Sequence, residues 1–180
     1  KNMLLTRDCL PATIADIAAL DDLLCRPSQA LIDDLRKVDG DIMILGVAGK
    51  MGPTLAGLAK AATPERRVIG VARFSDPAVK EWLQVRGVET VNCDLLDEAA
   101  IGALPKIPNV VFMAGRKFGA EGDLSLTWAM NAHVPAMVAQ AFAGSRIVAF
   151  STGCVYPFVP VTGKGSDEDM APNPPGEYAQ

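Results

Sequence analysis

From residue 41 onward, short apolar runs alternate with stretches in which apolar residues recur every three or four positions. The short runs predict strands, and the longer period predicts one-sided helices. The predicted strands cover residues 42–45, 68–72, 88–91, 110–113 and 146–150, and the predicted helices cover residues 53–62, 77–85, 98–104 and 124–142. Strand–helix alternation predicts an α/β fold, a Rossmann-like doubly wound parallel sheet in the order 3-2-1-4-5.

Residues 1–40 have a helical apolar period without strands. Thr13 is predicted to cap a first helix and Ser28 a second, and Gly40 is predicted to end the second. We expect a helical amino-terminal extension over residues 1–40 whose apolar stripe faces the core. The dinucleotide-binding domain is then expected over residues 41–180, with a long proline- and glycine-rich loop at 157–176 that is typical of a functional segment.

Composition excludes several classes of partner and site. The 180 residues are 49% hydrophobic, and 17 basic against 21 acidic residues give a net charge of −4. A mildly acidic chain with scattered charges has no electrostatic footprint for nucleic acid or for a membrane surface. Four cysteines without a CxxC pair, and a single histidine, predict no metal site and reduced thiols in a cytoplasmic protein. No apolar run is long enough to span a bilayer, and we expect no export signal.

A glycine-rich loop joins the first strand to the first helix. Gly46, Gly49 and Gly52 are spaced G-x-x-G-x-x-G, with Lys50 and Met51 between the last two. Gly46 is predicted to make the tight turn, Gly49 to let the backbone approach a pyrophosphate, and Gly52 to let the helix pack on the sheet. The helix amino terminus would offer N–H groups to the phosphates. The loop therefore predicts a dinucleotide site.

The end of the second strand bears on which dinucleotide binds. An acidic residue usually holds the ribose 2′-hydroxyl there, but Ala72 and Arg73 occupy the position. A guanidinium can grip a 2′-phosphate with two donors. We therefore expect NADP, with NAD as the second choice; the alternative is that Arg73 is only a surface residue.

Further motifs follow in order: Asn92-Cys93-Asp94-Leu95, Ala114-Gly115-Arg116-Lys117, Asn131, Phe150-Ser151-Thr152 with Val155-Tyr156, and Glu177-Tyr178-Ala179-Gln180. With the glycine spacing, this series resembles the NAD-dependent epimerase/dehydratase family, the extended short-chain dehydrogenases/reductases. The resemblance covers residues 41–180.

The resemblance implies roles for these residues. Asp94 and Leu95 would flank the adenine, and Ala114, Gly115 and Lys117 would lie beside the nicotinamide ribose. Asn131, on the following helix, would help to hold the active-site geometry. The family also implies a small-molecule substrate, such as a nucleotide sugar, and a homodimer.

In the resemblance, Thr152 takes the catalytic Ser/Thr position and Tyr178 opens the Y-x-x-x-K motif. A tyrosine accepts the carbinol proton only when its acidity is raised well above that of free phenol. The lysine of the motif would lie beyond Gln180, so we expect a fragment that is itself inactive. Gly153 and Cys154 stand where 4,6-dehydratases carry Asp-Glu, which favours epimerisation or carbonyl reduction. The alternative is a redox-sensing regulator without turnover, but such relatives typically lack the tyrosine.

Overall fold

The computed structural model describes residues 4–117 and 122–179. Five strands form one parallel sheet in the order β3-β2-β1-β4-β5. They are β1 (Ile42–Leu45), β2 (Val68–Ala72), β3 (Glu89–Asn92), β4 (Asn109–Phe112) and β5 (Arg146–Ala149). The predicted strand order is confirmed, and each predicted strand lies within one residue of its observed bounds.

Seven α-helices are found among the described residues: α1 (Ile17–Leu24), α2 (Gln29–Leu35), α3 (Gly52–Ala62), α4 (Pro77–Val85), α5 (Glu98–Ala103), α6 (Leu124–Trp128) and α7 (Val134–Ala141). The single helix predicted over residues 124–142 is wrong in one respect, because a π-helical turn at Ala129–His133 separates α6 from α7. The predicted Thr13 cap is also wrong. Asp16 caps α1 by accepting a hydrogen bond from the Ala19 N–H at 2.8 Å. The Ser28 cap of α2 is confirmed.

Two apolar layers cover the two faces of the sheet, which makes it doubly wound. Alternate residues of β1 point to opposite layers, since side chains in a strand alternate between faces. Met43 and Leu45 pack in the layer that contains Phe142, whereas Ile42 and Ile44 pack in the layer that contains Leu83. All residues of β1 and β2 are buried, so these strands form the rigid centre of the fold.

The β5 edge of the sheet is different. All four residues of β5 are exposed, and Val148 retains 61% of its accessible surface. The proline-rich segment that follows is mostly exposed as well, with Phe158 at 90%. The β5 side is thus the least covered part of the described sheet.

Polar contacts dock the amino-terminal helices on α3, α4 and the loop after α3. The Arg66 guanidinium donates to the Leu35 carbonyl at 3.0 Å, and Arg86 pairs with Asp22 at 2.7 Å. The apolar stripe of α1 does not face the core as expected, since Ile17 is 77% exposed and no α1 residue is buried. The division of the chain at residue 40 stays a prediction. No helix among the described residues is long and apolar enough to cross a membrane.

Candidate functional site

A cleft of about 380 Å³ opens at the carboxyl ends of β1, β2, β3 and β4. In doubly wound sheets, ligands bind at this edge, where the strand order reverses. Here the reversal lies between β1 and β4, which are neighbours in the sheet. The cleft is lined by seven residues that the sequence assigned to the cofactor: Gly46, Gly49, Arg73, Asp94, Leu95, Ala114 and Gly115.

Gly46 makes the turn out of β1, as predicted from the sequence. Its φ of +84° is one that residues with a side chain rarely adopt. A Cβ at this position would lie 2.7 Å from the Ala114 backbone nitrogen, so the first glycine also lets the loop cross close above the end of β4. The Gly46 N–H donates to the Val71 carbonyl at 2.9 Å, which ties the loop to β2.

Gly52 starts α3 and packs against the loop. A Cβ on Gly52 would lie 2.6 Å from the Val47 carbonyl carbon, so only glycine fits there without a shift of the backbone. No side chain caps α3, and Pro53 occupies its first turn. Lys50 and Met51 are exposed beside the cleft rather than part of its lining, with Met51 at 60%. A helix end without a side-chain cap leaves backbone N–H groups that commonly bind anions.

Arg73 stands on the cleft wall directly after β2. The Asn92 side chain donates to the Arg73 carbonyl at 3.0 Å, which fixes its backbone. The Arg73 guanidinium lies 3.9 Å from the Asp94 carboxylate, and the two side chains are 67% and 47% exposed. Such a loose, solvated ion pair contributes little to stability. The Arg73 side chain can therefore turn to an anionic ligand at small cost.

Asn131 holds the segment after β4 with both ends of its amide. Its Oδ1 accepts from the Arg116 N–H at 2.7 Å, and its Nδ2 donates to the Arg116 carbonyl at 3.1 Å. Nδ2 also donates to the Tyr178 carbonyl at 2.9 Å. Asn131 lies on the π-helical turn, a feature that often occurs at functional sites. The structure thus places Asn131 between the segment after β4, which lines the cleft, and the turn that carries Tyr178.

Tyr178 lies on a short 3-10 turn, Glu177–Ala179. Two other residues selected from the sequence, Lys117 and Thr152, lie near this turn. The Lys117 ammonium is 5.6 Å from the centre of the Tyr178 ring. Thr152 precedes the 3-10 turn Gly153–Val155, which contacts the Tyr178 turn, and its hydroxyl accepts from the Cys154 N–H at 3.2 Å. Lys117, Asn131 and Tyr178 therefore form one cluster, with the Thr152 segment adjacent to it.

Sequence reasoning gave no ligand-binding role to part of the cleft wall: Phe74, Ser75, Asp76, Val79, Cys93, Met113 and Met130. Cys93 directly follows β3 and Met113 directly follows β4. Their positions at the ends of predicted strands could have identified them as cleft residues. Burial raises the pKa of the Cys93 thiol, and the nearby charges of Asp94 and Asp97 raise it further. Met130 gave no such signal, because the π-helical turn alters the phase of its helix.

A second cleft, of about 650 Å³, lies between the amino-terminal helices and α3 and α4. Its basic side chains include Lys60 and Arg86, which already have protein partners. Lys60 donates to the Arg66 carbonyl at 2.6 Å, and Arg86 pairs with Asp22. No group of three or more potential metal ligands is found among the described residues. The cleft at the strand ends is therefore the stronger candidate site.

Comparison with known proteins gives a consistent picture of the fold. A candidate epimerase from Burkholderia cenocepacia J2315 is 26% identical, with a TM-score of 0.58 over 77% of this chain and 45% of that chain. The Bordetella bronchiseptica enzyme WbmG, solved with NAD and UDP, is 22% identical, with a TM-score of 0.64 over 78% and 46%. RMD from Pseudomonas aeruginosa, solved with NADPH, is 22% identical, with a TM-score of 0.59 over 77% and 45%.

The chain thus spans a little under half the length of these solved chains. No curated protein sequence is significantly similar to it. The model of the NAD dependent epimerase/dehydratase family matches residues 42–180, which include every strand of the sheet and every residue of the candidate site. By this match the chain belongs to the NAD dependent epimerase/dehydratase family.

Proposed function

We propose that the protein is a nicotinamide-dependent oxidoreductase or epimerase that acts on a carbinol or carbonyl group of a nucleotide sugar or a related small molecule. One observation carries this proposal. The cleft at the carboxyl ends of β1–β4 joins the glycine loop, Arg73, Asp94 and Ala114 in one wall. A regulator without turnover is disfavoured because Tyr178 and Lys117 lie together at the Asn131 end of this site.

The residues present fit a nicotinamide dinucleotide. Among the described residues, a Cβ on Gly49 would approach the Gly46 carbonyl oxygen to 3.4 Å and meet no other atom within 4 Å, so a ligand can come close to the loop backbone there. The α3 amino terminus would hold the phosphates. Gly46 and Gly49 would shape the loop around them, because their N–H groups already donate to the Val71 and Gly46 carbonyls. Asp94 and Leu95 would border the adenine, and Ala114, Gly115 and Lys117 would border the nicotinamide ribose.

NADP is the proposed form of the cofactor. Ala72 ends β2 without a carboxylate, and the exposed Arg73 guanidinium on the cleft wall is held by a loose ion pair with Asp94, at 3.9 Å. Two N–H groups of Arg73 can bind a 2′-phosphate. Several similar structures were solved with NAD, and RMD was solved with NADPH, so both cofactors suit this fold.

The proposed catalytic roles follow from the arrangement around Tyr178. A bound nicotinamide supplies hydride transfer. The Tyr178 phenol would give a proton to the substrate oxygen or take one from it, and the Thr152 hydroxyl would orient that oxygen. Asn131 would keep the Tyr178 backbone at the cleft through its 2.9 Å hydrogen bond. Lys117 places a positive charge 5.6 Å from the centre of the Tyr178 ring.

The residues after Thr152 restrict the reaction type. Gly153 and Cys154 form a 3-10 turn at the positions where a dehydratase of this family would carry a carboxylate pair. Without those carboxylates, elimination of water lacks its proton shuttle. Epimerisation or reduction of a carbonyl is therefore favoured over dehydration.

Titration calorimetry on this chain tests the cofactor proposal. Because Arg73 is 67% exposed, one Arg–phosphate contact is expected at the lower end of its range, about 1.5 kcal/mol or roughly tenfold in Kd. We expect Arg73→Ala to weaken NADP⁺ binding by about this factor and to leave NAD⁺ binding unchanged. Arg36→Ala, an exposed arginine in the amino-terminal region, is the control. Unchanged NADP⁺ affinity in Arg73→Ala, or tighter NAD⁺ binding by the wild type, would contradict the proposal.

A second measurement tests the catalytic proposal. In a form of the protein with measurable turnover, Tyr178→Phe should lower kcat by about 10²–10⁴-fold, the usual contribution of a positioned acid–base group. Cofactor affinity should be retained, because the substitution removes only the phenol oxygen. Full activity in Tyr178→Phe would rule out the proposed role.

A cytoplasmic location is proposed from the thiols. Cys9, Cys25, Cys93 and Cys154 are all free, which suits a reducing compartment. Homodimerisation through the helix that carries Asn131 stays a prediction.

A further inference from the structure

Two hydrogen bonds from the region of α6 hold the Tyr178 turn, Glu177–Ala179. The Trp128 indole N–H donates to the Glu177 carboxylate at 2.9 Å. The Asn131 amide donates to the Tyr178 carbonyl, also at 2.9 Å. Consecutive residues of the turn are thus bound by two side chains that lie three positions apart in the sequence.

The helix geometry explains why both side chains reach the same turn. Trp128 is the last residue of α6, and Asn131 lies in the π-helical turn that follows at once. Their hydrogen bonds end on adjacent residues of one short turn, Glu177 and Tyr178. The indole and the amide therefore approach the Tyr178 turn from one surface, at two separate points.

The preceding chain adds little restraint. Most residues of the 157–176 segment are exposed, and it approaches the fold through a backbone bond from Asn173 to the Val155 carbonyl at 2.9 Å. The position of the Tyr178 ring then depends on what fixes the turn itself. With one hydrogen bond, to the Tyr178 carbonyl, the turn can still rotate about that bond. The second hydrogen bond, at Glu177, prevents this rotation.

We propose that Trp128 and Glu177 are positioning residues that orient Tyr178 toward the cleft, a role that rests on the proposed function. The bond between them joins an indole N–H to an ionised acceptor, and such charge-assisted bonds are stronger than neutral ones. The bond joins the Glu177 side chain to the end of α6, so both residues would act on Tyr178 by holding the turn that carries it. The resemblance to the epimerase family points to Asn131 and Tyr178 but not to this pair.

Fluorine NMR on this chain tests the inference directly. The chain has two tyrosines, so Tyr156→Phe leaves Tyr178 as the one site labelled by 3-fluorotyrosine. The variants are Trp128→Phe, which keeps a ring but removes the donor, Glu177→Ala, which removes the acceptor, and Glu177→Gln, which keeps an acceptor oxygen. Glu168→Ala, an exposed glutamate of the preceding loop, is the control.

We expect Trp128→Phe and Glu177→Ala to move the Tyr178 resonance toward its position in the urea-unfolded chain. Because the Trp128–Glu177 hydrogen bond is solvent-exposed, the ratio of the bound to the released form of the turn should fall by about two- to fivefold. Glu177→Gln should restore most of the native resonance, and Glu168→Ala should leave it unchanged. Urea transitions of each variant establish that the fold is intact.

An unchanged resonance in both Trp128→Phe and Glu177→Ala would overturn the inference, as would a Glu177→Gln variant that behaves like Glu177→Ala. The measurement contains no cofactor or substrate. A failure of NADP⁺ to bind would therefore contradict the proposed function without changing the NMR result. An unchanged Tyr178 resonance in the variants would contradict the role of Trp128 and Glu177 without changing cofactor binding.

Discussion

Two glycines of the same loop should respond oppositely to alanine. At Gly46, alanine would have to adopt a φ of +84° with its Cβ 2.7 Å from the Ala114 backbone nitrogen. The left-handed conformation costs about 1–2 kcal/mol, and forced overlap with backbone adds about 1–3 kcal/mol. Gly46→Ala should therefore destabilise the fold by about 2–5 kcal/mol.

At Gly49 no positive φ is required, and a Cβ would meet only the Gly46 carbonyl oxygen, at 3.4 Å. Since that is an ordinary contact distance, Gly49→Ala should change the free energy of unfolding by less than about 1 kcal/mol. Its effect should instead appear in binding, because the added methyl group occupies the space proposed for the pyrophosphate. The first glycine is thus needed by the fold, and the second by the ligand.

Urea unfolding and calorimetry with NADP⁺ separate the two effects. With a urea m-value of about 2 kcal/mol per M, Gly46→Ala should lower the transition midpoint by about 1 M or more. Gly49→Ala should keep the wild-type midpoint and lose at least about tenfold in NADP⁺ affinity, the effect of displacing one well-placed phosphate contact. The reasoning is refuted if Gly49→Ala destabilises as much as Gly46→Ala, or if it binds NADP⁺ as tightly as the wild type.

Gly57 lies within α3, where a Cβ would be 2.6 Å from the Cys25 thiol. Gly57→Ala should gain about 1 kcal/mol of unfolding free energy in a Cys25→Ala background, from helix propensity, and less or none with the thiol present; equal gains in urea titrations would argue against the contact. The Arg67 guanidinium, through hydrogen bonds and its charge, lowers the pKa of Glu89 from its usual 4.5. A carboxyl whose pKa is lower in the folded than in the unfolded state stabilises the fold at pH values above its unfolded-state pKa. Glu89→Gln should therefore lower the free energy of unfolding slightly at pH 7, and the difference from the wild type should fade below about pH 4. A loss of stability that persists at pH 3 would speak against the ion pair.

The fold could be predicted well because its strands carry a strong local signal. Continuous apolar runs such as Ile42–Leu45 are buried on both faces, and the alternation with helices leaves few topologies. The exposed stripe of α1 could not be predicted, because periodicity reports which residues share a face and not whether another element covers that face. The break at Ala129–His133 also left no mark on the sequence, since a π-helical turn uses ordinary helix-forming residues.

The candidate site was predictable where a residue type is tied to backbone geometry. Gly46 and Gly52 are required by a positive φ and by a close approach, and both are visible in the spacing. Arg73 was visible as a departure from the expected carboxylate. The pairing of Trp128 with Glu177 was not predictable, because it joins positions 49 apart whose proximity depends on the path of the intervening loop.

The central claim is that the cleft at the carboxyl ends of β1–β4 binds a nicotinamide dinucleotide. Titration of the ¹⁵N-labelled chain with NADP⁺, followed by amide chemical shifts, tests both binding and place. We expect saturable shifts at Gly46, Gly49, Arg73 and Ala114, with no change around Lys60 in the second cleft. An absence of saturable shifts, or shifts confined to the second cleft, would contradict it.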